Sequence, residues 1–129
     1  MVKYKALLIP HDPDEPVKYV EIDRDDFREI VALVCADPKE GTFSSSGFPE
    51  FHCAFYYDDE YLYTQPENVN IRAMIVWAAL AGVHTSNFRQ NLCGNHLLVG
   101  PADAEGYTLD VPTAIAEKIL KAFEPEEGE

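Results

Sequence analysis

The sequence predicts an α+β fold: a small mixed β-sheet of about five to six short strands, with two hairpins, packed by about three helices. Two observations predict it. The chain has 129 residues, 47% of them hydrophobic and 26% charged, which suits one globular domain with its own core. The apolar pattern also changes period along the chain, alternating in some stretches and recurring every three to four residues in others. Residues 1–123 form the predicted domain, and the acidic residues 124–129 read as a disordered tail.

Residues 3–9 read as a first strand that Pro10 ends. Residues 11–16, with two prolines and three carboxylates, read as a turn. Alternation over residues 17–22 then gives a second strand and a hairpin. Asp23 can cap a following helix, with Asp25 and Asp26 where the helix dipole favours negative charge. Phe27, Ile30, Val31 and Val34 supply its apolar stripe, and Pro38 requires an end near Ala36.

Residues 41–49 read as a Ser- and Gly-rich loop. Residues 51–57 and 61–64 flank Asp58-Asp59-Glu60 and read as the plainest hairpin. A helix over residues 71–81 follows, capped by Asn68 or Asn70 and ended by Gly82. Apart from Arg72 it has no polar face, which predicts burial on most sides. Residues 83–93 read as a loop with one irregular turn, and residues 95–99 as a strand between Gly94 and Gly100. An acidic turn, a segment over residues 107–111 that can pair back, and a final helix led by Pro112 complete the chain. Ile115, Ile119, Leu120 and Phe123 form that helix's apolar face.

Asp and Glu number 23 against 10 Lys and Arg, a formal net charge of −13. This argues against direct nucleic-acid binding and against docking to an anionic membrane. The longest apolar run has 11 residues, short of the roughly 20 of a membrane span, so a cytosolic protein is expected. Cys35, Cys53 and Cys93 are odd in number and widely spaced, as reduced thiols rather than a disulfide framework.

The order of elements resembles the small phage and bacterial family catalogued as domain of unknown function 3846. The similar features are the first strand Lys5-Ala6-Leu7-Leu8-Ile9-Pro10 with its charged turn and second strand, the helix ending near residue 36, Asn70-x-x-Ala73 opening the middle helix, and the strand from Gly94 to Gly100 running into an acidic turn and a Pro-led helix. This chain differs in a longer aromatic middle, residues 43–63, and a longer polar stretch before Gly94. The resemblance implies a phage, plasmid or host gene context and binding to host or defence components. It implies no activity, cofactor or site residue.

No catalytic motif stands out, and no cofactor is expected. His84, Cys93 and His96 come nearest to a zinc set, with His52 or Cys53 as a fourth ligand, but there is no paired Cys-x-x-Cys. Asp58, Asp59 and Glu60 lack the spaced acids of a calcium loop. Arg72 and Arg89 stand in apolar surroundings and need carbonyls, a carboxylate such as Glu67, or a bound anion. With Asn87, Asn91 and tyrosines they could line a site that sequesters a nucleotide signal.

Eight of the fifteen aromatic residues fall within residues 43–63, more than one sheet face of a small domain needs. Phe51, Phe55, Tyr56, Tyr57, Tyr61 and Tyr63, beside Asp58, Asp59 and Glu60, are therefore the expected interface. The partner would be another protein, basic or itself nucleic-acid-binding, or a second copy of the chain. The expected function is non-enzymatic binding of a host or defence-system protein. The acids could imitate phosphate spacing, or serve only solubility.

Overall fold

A computed structural model describes residues 2–124, so the expected tail falls outside the described residues apart from Glu124. Five strands, β1 (Lys3–Ile9), β2 (Lys18–Asp23), β3 (Phe43–Phe48), β4 (Cys53–Asp58) and β5 (His96–Val99), form one sheet of order β2-β1-β5-β4-β3. Every neighbouring pair is antiparallel, so the α+β class holds with an antiparallel rather than a mixed sheet. Helices α1 (Arg28–Val34), α2 (Tyr61–Thr64), α3 (Ile71–Ala81) and α4 (Thr113–Ala122) complete it. No helix among the described residues is long and apolar enough to cross a membrane.

The last strand in sequence enters the middle of the sheet, with Leu98 opposite Leu7 on β1 and Phe55 on β4. All four β5 residues are consequently buried. Leu7, Ile9, Phe55 and Leu98 meet α3 and α4 on one face. Tyr4, Ala6, Leu8, Ile22, Leu97 and Val99 meet α1 on the other. Helices thus cover both sheet faces, and alternation along each strand sends side chains into one core or the other.

The predicted β1–β2 hairpin forms, from Lys3 opposite Asp23 to Leu8 opposite Lys18. Helix α1 starts four residues later than Asp23-capping would give. The Asp23 carboxylate accepts from Asp25 N–H, and Asp26 accepts from Arg28 N–H (3.1 Å) at the observed start. Phe27 precedes the helix and stays 66% exposed, while Ile30, Val31 and Val34 are buried.

The middle of the chain departs most from expectation. The Ser- and Gly-rich stretch is strand β3, paired to β4 from Phe43 opposite Asp58 to Phe48 opposite Cys53. The expected second strand, Tyr61–Thr64, is the helical turn α2. Asp58 decides this, because its carboxylate accepts from Glu60 N–H (3.0 Å) and the Thr64 hydroxyl (2.7 Å), which closes a helical turn.

Helix α3 keeps its predicted bounds. Asn70 Oδ1 accepts from Ala73 N–H (2.9 Å), and Gly82 takes the left-handed conformation at the C-terminus. Its burial is less than predicted: Ala73 and Val76 face the sheet and Ala78 is buried, but Ile71 is 59% and Ile75 46% exposed. It is the outer layer of the fold, with solvent on its far side.

Candidate functional site

The β3–β4 hairpin and the turn after it carry most of the residues that the sequence singles out. Side chains alternate along β4, so Cys53, Phe55 and Tyr57 face α3 and α4, and Ala54, Tyr56 and Asp58 the opposite side. Phe55 is fully buried and stacks flat on Trp77, with centroids 5.1 Å apart and planes at 3°. It packs the core and does not meet a partner, contrary to expectation. Tyr57 stacks on the His96 ring (5.5 Å, 17°), and its hydroxyl lies 2.7 Å from that of Ser46. Tyr56 packs on Phe43 and shares a 2.7 Å hydrogen bond with the Thr108 hydroxyl. Both tyrosines are half-buried.

Asp58 is also removed from the expected interface. It is buried, and accepts from the Ala36 and Glu60 N–H groups, the Thr64 hydroxyl and Gln65 Nε2. Burial works to raise its pKa, but these donors outweigh burial and hold it below the usual carboxylate range. The exposed members of the set are Phe51, Tyr63 (88% exposed), Asp59 and Glu60, with Tyr61 half-buried. No Lys or Arg occurs in residues 41–71, which hold five acids, so this stretch of the chain carries a single sign of formal charge.

The metal candidates do not assemble, and no group of three or more His, Cys, Asp or Glu is placed to hold a metal among the described residues. His96 is buried, and its Nδ1 donates to the Gly94 carbonyl (3.0 Å). Cys93 is buried with its thiol 3.6 Å from the Pro66 carbonyl, and His84 lies exposed on a short turn after α3. Arg72 is held by the backbone. Its Nη2 donates to the backbone carbonyls of Pro10, Asp12 and Glu15 at 2.8–2.9 Å, tying α3 to the β1–β2 turn, and Glu67 is not its partner. Arg89, Asn87 and Asn91 lie exposed on the segment between α3 and β5.

Two clefts stand out by their lining. An apolar groove of about 310 Å³ lies between α3 and α4, lined by Ile75, Ala79, Ile115, Ile119 and Phe123, with Phe51 and Lys118 also beside it. A more polar cleft of about 380 Å³ opens on the α1 side of the hairpin, beside Ser45, Gly47, His52, Tyr56, Pro101 and Thr108. His52 there has a left-handed backbone (φ 55°), which turns the chain from Phe51 into β4. Nothing local in residues 43–48 marks this cleft, because it exists only once the Ser- and Gly-rich stretch pairs with β4 as β3.

No family model and no curated protein matches the chain. Among solved structures, the crystal structure of the small RNA methyltransferase HEN1 superposes with a TM-score of 0.49 and 18% identity, over 92% of this chain and 16% of that one. At that score and identity the likeness assigns neither a fold family nor an activity to this protein.

Proposed function

We propose that the protein is a non-enzymatic acidic binding protein of phage or mobile-element type, acting in the host cytosol by engaging a host or defence-system protein. The carrying observation is the β3–β4 hairpin with the turn after it, where Phe51 at one end of β4 and Asp59, Glu60 and Tyr63 at the other are exposed on a stretch of sequence without Lys or Arg. Exposed aromatic residues beside one sign of charge are what a protein interface of opposite charge uses. The phage context rests on the resemblance alone. The arginines offered for a nucleotide ligand do not support that alternative, since Arg72 is spent on backbone carbonyls.

Affinity capture from a bacterial host lysate at low salt tests the reading. A specific protein partner should be retained, and released as rising salt screens the acidic surface. Recovery of no protein would count strongly against it.

A further inference from the structure

Strand β3 ends the sheet, and its register fixes which backbone groups it leaves free. Asp59 N–H donates to the Thr42 carbonyl (2.9 Å), so Thr42 and Asp59 form a hydrogen-bonded pair. Such pairs recur every second residue in an antiparallel ladder, so Ser44, Ser46 and Phe48 bond to β4. Phe43, Ser45 and Gly47 then direct N–H and C=O away from the sheet, over about 14 Å of edge. Edges of this kind are usually blocked by Lys, Pro or a bulge. Within the strand, residues 43–48, there is no charged residue and no proline, and Ser45 and Gly47 are exposed.

The polar cleft of about 380 Å³ lies beside the same residues. A strand added along β3 would pair its residues with Ser45 and Gly47, and paired residues point to the same sheet face. Their side chains would therefore project toward the α1 side, where the cleft opens. At Gly47 an added Cβ meets nothing within 4 Å, so the approach is clear.

We infer that β3 is a strand-addition site for a basic extended segment of another protein, with an apolar side chain of that segment seated in the cleft between Gly47 and Tyr56. The inference rests on the protein-binding reading above and names its mode. Main-chain hydrogen bonds along an edge supply affinity, and alternate side chains in sockets supply selectivity. Charge chooses the occupant. An antiparallel β3–β3 pair between two copies would set the Asp59–Glu60 corner of one against the Glu50 turn of the other, acid against acid. A segment carrying lysines meets the same acids favourably.

The test is titration of the ¹⁵N-labelled full chain with an acetylated seven-residue peptide alternating lysine and valine, beside one alternating glutamate and valine. The lysine peptide should shift the Phe43, Ser45 and Gly47 amides and slow their hydrogen exchange, and the glutamate peptide should bind far more weakly. Ser45→Pro deletes an outward N–H that β4 does not use, and should weaken binding about tenfold or more. Gly47→Leu, which fills the socket, keeps the idea testable should the proline disturb folding, and should weaken binding likewise. No binding, shifts confined to the α3–α4 groove, full binding by both variants, or dimerisation through β3 would each overturn the inference. If both variants still capture the lysate partner fully, strand addition fails and the binding reading survives. If nothing is captured while the peptide docks on β3, the reverse holds.

Discussion

His96 shows how one buried ring ties pH to stability. Its Nδ1–H is committed to the Gly94 carbonyl, and its Nε2 has no hydrogen-bond partner. Burial pushes its pKa down from 6.5 to about 4, which the Gly94 bond only partly opposes. The unfolded chain takes up this proton as pH falls through about 6.5, and the folded chain resists until about 4. The contribution is therefore complete above pH 6.5 and is lost between about 6.5 and 4, on the order of 3 kcal/mol in all. His96→Phe should flatten the fall in Tm between pH 7 and about 5, read by circular dichroism. An equal fall in both proteins would refute this. Asp58 acts in a lower window, because its depressed pKa gives stability that is present above the ordinary carboxylate pKa and lost below it.

The three thiols give a second prediction at this scale. Burial pushes Cys35 and Cys53 up to about 11, and raises Cys93 as well. The folded protein should react with a thiol reagent at pH 8 far more slowly than the same chain in denaturant, and three fast native thiols would contradict that.

At the scale of elements, Asn70 joins three of them. Its Nδ2 donates to the Ile9 and Gly94 carbonyls at 2.9 Å each, at the ends of β1 and before β5, while its Oδ1 caps α3. Asn70→Ala removes the hydrogen bonds to two buried carbonyls and leaves a buried helix N–H without its cap, and should cost about 3 kcal/mol in urea unfolding. Asn70→Asp should not rescue it, because a carboxylate cannot donate to either carbonyl. This element was legible: an Asn cap, at position 68 or 70, the apolar run and Gly82 together marked α3, and the bond to Ala73 N–H selects Asn70. Strand β3 was not, because Ser-Ser-Ser-Gly has neither alternation nor strand propensity and becomes a strand only by pairing with β4. Tyr61–Thr64 reversed the error, since Tyr and Thr suggest a strand until the Asp58 carboxylate closes the turn.

For the whole molecule, the charge balance has a direct consequence. Against 23 acids, the salt bridges among the described residues are Arg24–Asp25 (4.0 Å) and Arg28–Asp26 (3.0 Å), both at the surface. Like-charge repulsion therefore opposes the compact state. Raising NaCl from about 0.01 M to about 0.15 M, which shortens the screening length from about 30 Å to about 8 Å, should raise Tm in differential scanning calorimetry. A falling Tm would show that attractive pairs dominate instead.

By itself the sequence determined the class, the bounds of β1 and α3, the approximate places of β2 and β5, and the sign of the formal net charge. These follow from patterns local to each segment: alternation, caps, prolines and composition. Tertiary structure alone decided which aromatic residues are buried. Phe55 and Phe51 are the same residue type on neighbouring segments, yet one stacks on Trp77 in the core and the other is 40% exposed. The difference arises because β5 enters between β1 and β4, and helices then close over both faces of the sheet. Burial depends on which distant segments arrive on each side, and the spacing of residues within one segment does not carry that information.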